Sequence, residues 1–74
     1  MTVAELVRMA NQIAAFNAAY PRDEAIRGME EHIRAFWEPR MRRMMAEHLA
    51  AGGEGLTELA REGAARACGI IQRA

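Results

Sequence analysis

Lysine and serine are missing from this 74-residue chain, cysteine and tryptophan occur once each, and proline occurs twice. Each shortage excludes something. Cys68 alone cannot form an internal disulfide, and no CxxC or paired Cys/His spacing exists to hold zinc. A catalytic nucleophile needs an adjacent base oriented by a third group. With no serine, Thr2 and Thr57 are the only hydroxyl candidates of that kind, and both are better placed as helix caps. No apolar run approaches the roughly 18 residues required to cross a bilayer. The opening "MTVAELVRMA" lacks the basic start, apolar centre and small-residue cleavage site of a secretory signal. With an unpaired thiol and no export signal, the reducing cytoplasm is the expected compartment. Net charge is zero, so no overall field draws the chain to nucleic acid or anionic lipid.

Hydrophobic residues make up 51% of the sequence, yet a chain this short buries only about 60% of the surface its unfolded form exposes. Small proteins compensate with disulfides, metals or association, and here association is the route left. All ten basic residues are arginine. Arginine suits interfaces because its planar fork bonds bidentately and is more weakly hydrated than an ammonium group.

Four helical segments are separated by clear punctuation. Thr2 and Glu5 stand at capping-box spacing before Leu6, Met9, Ile13, Phe16 and Tyr20, whose alternating steps of three and four make one apolar face. A second stripe of Val3, Val7, Ala10 and Ala14 widens that face. Pro21 ends this segment and Asp23 is a suitable N-cap for the next, which carries Ile26, Met29, Ile33 and Phe36. Asp23 with Arg27 and Glu30 with Arg34 form favourable i,i+4 pairs on its outer side.

Pro39 suits the first position of a third helix with Met41, Met44, Met45 and Leu49 on its apolar side, closed by "AAGGEG", where Gly52 or Gly53 can take the left-handed C-cap conformation. Thr57 caps the last helix, which carries Leu59, Ala60, Gly63, Ala64, Ala67, Ile70 and Ile71. Gly63 and Gly69 either fray it or permit close approach of another helix. The expected fold is all-α, a small bundle of three to four short helices in a single domain over 1–74, with helices near 2–19, 23–37, 39–50 and 57–72.

"HIRAFWEPRMRR", residues 32–43, stands apart from ordinary helix sequence. Phe36 and Trp37 are neighbours and, if both are helical, point about 100° apart. Phe36 continues the seam, which leaves Trp37 as either a second-side packing residue or an exposed anchor. Arg40, Arg42 and Arg43 crowd the start of a helix, where cations oppose the macrodipole. Arg43 can pair with Glu47, and Arg42 with Glu38, but Arg40 has no acid three or four places away. Such an arginine beside an aromatic and a methionine strip is a reasonable docking residue. His32 and His48 fall on different helices without a metal-binding spacing and read as surface or boundary residues, and Cys68 reads as a small structural residue.

The segments "LVRMANQIAAF" (6–16), "YPRDEAIRGMEEHIRAFWEPRMR" (20–42) and "HLAAGGEGLTELAREG" (48–63) together resemble the delta subunit of NAD-dependent, molybdenum-containing formate dehydrogenases. "HIRAFWEPRM" and the "AAGGEGL" turn carry the resemblance most specifically. Where that family has aspartate before the proline, this chain has Glu38, a poorer cap. The resemblance implies a noncatalytic accessory subunit of a cytoplasmic enzyme that oxidises formate to carbon dioxide and passes electrons to NAD. It also implies that the molybdenum cofactor belongs to the large alpha subunit, flavin and NAD to the beta subunit, and that the iron–sulfur clusters lie in partner subunits, with no cofactor bound by this chain. On that reading the chain binds the alpha subunit and supports assembly, stability or cofactor-loaded maturation. The expected partner-binding residues are Phe36, Trp37, Arg40, Met41, Arg42 and Met44. The rival is a self-associating helical adaptor that forms a homodimer. A nucleic-acid module, resting on Arg40, Arg42 and Arg43 alone, is a weaker third reading.

Overall fold

The computed structural model describes residues 1–69, and within them the chain forms four helices and no strand. Helix α1 spans Val3–Asn17, α2 Arg22–Phe36, α3 Pro39–Ala50 and α4 Glu58–Ala67. The fold is all-α. No helix among the described residues is long and apolar enough to cross a membrane.

The start of α1 is fixed locally. The Thr2 hydroxyl accepts from the Glu5 amide at 3.2 Å, and the Thr2 amide donates to Glu5 Oε1 at 2.8 Å, closing the capping box. The bond from the Thr2 backbone holds the Glu5 carboxyl below its ordinary value of 4.5. A depressed carboxylate stabilises the folded form above the unfolded value and loses that contribution as pH falls through the folded one.

Of the two apolar stripes on α1, the inward line is Leu6, Ala10 and Ala14, each almost fully buried. Val7, Met9 and Ile13 pack partly against it, while Phe16 and Tyr20, expected on the buried face, are 77% and 53% exposed. The alanines let α1 lie close to its three neighbours α2, α3 and α4. Turning that small-residue line inward rotates the aromatics out.

Helix α2 begins at Arg22 rather than with Asp23 as its cap. Pro21 is the N-cap and gives no side-chain bond, while Asp23 and Glu24 sit in the first turn, where their charge favours the helix dipole. Met29 and Ile33 are fully buried, and Glu30 pairs with Arg34 at 3.1 Å. The other pairs expected along the helices, Asp23 with Arg27, Arg43 with Glu47 and Arg42 with Glu38, do not form among the described residues. Arg22 instead reaches Glu58 of α4 at 3.5 Å. All these pairs are surface contacts of small energetic value.

The chain leaves α2 at Phe36 because Pro39 follows. Glu38, the residue before it, is extended (φ −67°, ψ 156°), and so is Trp37 (φ −88°, ψ 130°). Pro39 then opens α3, whose Met45 is fully buried. At the far end Gly52 and Gly53 both take positive φ, 123° and 66°, and the Gly53 amide donates to the His48 carbonyl at 2.9 Å.

The α3–α4 loop is tied down from a distance. Asn11 of α1 donates through Nδ2 to the Gly55 carbonyl at 3.0 Å and accepts from the Thr57 amide at 3.0 Å. His48 Nε2 donates to the Glu54 carbonyl at 2.8 Å. These bonds seat Leu56 in the core and present Thr57, whose hydroxyl caps α4 through the Ala60 amide. Replacing Asn11 with alanine removes both arms of the clamp, and the expected loss is about 1–2 kcal/mol. Urea unfolding followed by circular dichroism reads it. An unchanged midpoint would show that the clamp contributes nothing to stability.

Helix α4 packs most extensively against α2. It ends at Ala67, with Cys68 as C-cap and Gly69 at φ 81°, short of the expected end near residue 72. Glycine in the left-handed region stops the helix there. Ile70 and Ile71, expected on its apolar face, lie outside the described residues.

Candidate functional site

The six residues singled out from the sequence divide into two groups. Phe36, Arg40, Met41 and Met44 come together, with Met1 and Glu38, around a surface pocket of about 310 Å³ where α2 gives way to α3. Phe36 is 72% exposed, Arg40 is exposed, and Met41 and Met44 are half-buried against the core.

Trp37 is elsewhere. It is 4% exposed and belongs to the core cluster with Leu6, Met29, Ile33 and Met45. Its ring fills the chain's own interior, which is the packing alternative of the two its sequence position leaves open. The extended backbone ahead of Pro39 turns the indole inward and leaves Phe36, the last helical residue, outside. Phe36 thus leaves the buried seam that uninterrupted helical spacing assigns it, and Trp37 takes the packing role.

Arg42 is half-buried, and its Nε is shielded from solvent with no hydrogen-bond partner among the described residues. Its charge is felt by Cys68, whose thiol is pushed up to about 11 by burial, with the Arg42 cation pulling weakly the other way. At neutral pH that thiol stays protonated and is a poor nucleophile. Arg42 thus stands between α3 and the end of α4, behind the pocket rather than in it.

The surface extends beyond these residues. Phe36 packs on His32 with ring centroids 4.9 Å apart. His32 in turn lines a largely apolar groove of about 430 Å³ between α1 and α2, with Gln12, Ile13, Phe16, Asn17 and Gly28. Phe16, Ile13, His32, Phe36, Met41 and Met44 therefore form a continuous strip across two helical junctions. Phe16 and Phe36 are its most exposed apolar members. Sequence reasoning placed Phe16 on the core face and His32 at the surface without linking them. The available signal was the alanine pair Ala10 and Ala14, which cannot face inward together with Phe16.

Among the described residues no group of three or more His, Cys, Asp and Glu side chains is placed to hold a metal ion. A strip with two exposed phenylalanines, next to uncompensated arginines, has the residue types enriched at protein interfaces.

Comparison with protein families gives a match over residues 5–64 to the NADH-dependant formate dehydrogenase delta subunit, FdsD. Comparison with curated proteins and with solved structures finds no match. The matched span takes in α2, α3 and most of α1 and α4, including every residue of the strip. With four-fifths of its length accounted for in this way, the chain belongs to the NADH-dependant formate dehydrogenase delta subunit family.

Proposed function

We propose that the chain is a noncatalytic subunit that docks on the large alpha subunit of an NAD-dependent formate dehydrogenase through the strip centred on Phe36, supporting assembly, stability or cofactor-loaded maturation. The observation that carries this reading is the exposure of Phe16 and Phe36 at 77% and 72%, in a chain whose other large apolar side chains are mostly buried or half-buried. Leaving two aromatic rings in water forgoes hydrophobic stabilisation that a partner surface restores on binding. Family membership supports the partner, because a delta subunit acts within a formate dehydrogenase. On this proposal the molybdenum cofactor, iron–sulfur clusters and flavin reside in the other subunits, the complex is cytoplasmic, and this chain engages neither membrane nor nucleic acid.

The test is co-purification with an affinity-tagged alpha subunit. Phe36→Ala combined with Phe16→Ala is expected to cut retention of the delta chain at least tenfold, while its helical circular dichroism stays at the wild-type level because neither ring supports the core. Wild-type retention by the folded double variant would remove the strip from the interface. Light scattering of the isolated chain addresses the rival: a stable dimer that the same double variant dissolves, with alpha-subunit binding intact, would assign the strip to self-association instead.

A further inference from the structure

The beginning of α3 carries a charge arrangement that the other described residues do not compensate. Arg40, Arg42 and Arg43 occupy three of its first five positions, and its first turn contains no acid. Helix N-termini favour anions, so each cation there works against the local field. Arg40 and Arg43 are one turn apart and therefore neighbours on the same side, with like charges facing each other. Both are exposed, and neither forms an ion pair among the described residues. Glu47, one turn beyond Arg43, does not engage it. Glu38 is the one acid at the pocket rim, and its side chain makes no capping bond. Residues 38–43 thus hold three cations and one carboxylate in a chain whose overall charge is zero.

Beside this excess charge lies the pocket of about 310 Å³, whose apolar walls are Met1, Phe36, Met41 and Met44 and whose polar rim is Glu38 and Arg40. Thioether and aromatic walls gain nothing from a free inorganic anion, but they adapt to an irregular apolar side chain. Resting on the docking role given above, we propose that this pocket recognises an acidic segment of the partner polypeptide. One apolar side chain enters between Phe36, Met41 and Met44, and flanking aspartate or glutamate carboxylates pair with Arg40 and Arg43. Arginine's planar fork matches a carboxylate in two-point contact. The positive end of α3 adds to the attraction, and binding relieves the repulsion between the two guanidinium groups. Charge here sets orientation and the rate of encounter, while the apolar anchor sets lifetime.

The experiment uses the full chain co-expressed with its tagged formate dehydrogenase complex, washed at stepped salt concentrations. Arg40→Glu with Arg43→Glu is expected to lower retention at least tenfold, whereas Arg27→Glu with Arg61→Glu, which reverses two exposed arginines elsewhere, leaves it unchanged. Wild-type retention is expected to fall as salt rises, and the neutral pair Arg40→Gln with Arg43→Gln to lose most of that salt dependence. A photo-crosslinking residue at Met44 is expected to capture a partner segment with aspartate or glutamate beside an apolar residue. Circular dichroism confirms that each variant is folded. If the Phe16, Phe36 double variant loses the partner but the charge-reversed chain keeps wild-type retention and salt response, the acidic-segment proposal is overturned and docking through the strip stands. If neither set affects retention, the docking role falls with it. Capture at Met44 of a segment without carboxylates, or charge-dependent binding to phosphatidylglycerol vesicles with none to the complex, would also overturn it.

Discussion

Replacing Trp37 with alanine is expected to cost about 3–5 kcal/mol, the range for removing a large aromatic from a packed core. The ring is 4% exposed and sits among Leu6, Met29, Ile33 and Met45, which come from three different helices. Its removal therefore opens a void in a core cluster to which all four helices contribute. At about 0.05–0.15 kcal/mol per residue, a domain of this length has a total stability of only about 4–11 kcal/mol. The variant is expected to lose most of its cooperative thermal transition, or to melt at least about 12 °C lower. Circular dichroism at 222 nm reads this directly.

In the wild type the same residue reports its own burial. Its fluorescence is expected at short wavelength in the folded chain, shifting red in urea and hardly at all when the partner binds. A large emission change on complex formation, with little loss of stability in Trp37→Ala, would return the indole to the interface. Loss of Trp37→Ala from the complex is not by itself evidence of contact, because an unfolded chain is lost too. Phe36 separates the two effects, since its exposed ring can be removed without opening the core.

What could be read from sequence follows the range of the interactions involved. Thr2 with Glu5, Pro39 at the head of α3 and Thr57 at the head of α4 act over three or four residues, and their geometry is implied by residue type and spacing. Four helical segments and the all-α class follow from such local rules together with apolar periodicity. The direction in which a helix faces does not. Two overlapping stripes on α1 were both plausible, and only the presence of three neighbours selects Leu6, Ala10 and Ala14 over Phe16 and Tyr20.

The Asn11 clamp joins residues 44 and 46 positions apart, and nothing near Asn11 announces it. The pocket residues Phe36, Arg40, Met41 and Met44 were legible because they cluster within nine positions of sequence. Spacing alone leaves Trp37 open between packing and exposure, because helical periodicity does not hold across the break before Pro39. The groove contributed by Phe16 and Ile13 exists only once α1 lies beside α2, so no local pattern announces it.

Gly63 shows how a residue that weakens a helix locally can be required globally. Glycine within a helix costs about 1 kcal/mol relative to alanine, and from sequence this position reads equally as a point of fraying or of close approach. The packing decides for close approach: a Cβ built on Gly63 would lie 2.5 Å from Met29 Sδ, 2.8 Å from its Cγ and 3.0 Å from its Cβ. Met29 is fully buried and cannot swing out to solvent, with Ala60 and Ala64 also sealed against the core on the same helix as Gly63.

Gly63→Ala therefore sets the propensity gain against about 1–3 kcal/mol of overpacking, for a net loss of about 1 kcal/mol. Gly63→Val adds two methyl groups and a stiff χ1 to the same collision, and about 3 kcal/mol or more is expected, enough to separate α4 from α2. Urea midpoints of the two variants give the comparison. Shortening Met29 to alanine in the valine background is expected to recover part of the loss, since the two changes share one space and do not add. Gly63→Ala more stable than wild type, or strict additivity of Gly63→Val with Met29→Ala, would mean that α2 and α4 do not meet at this glycine.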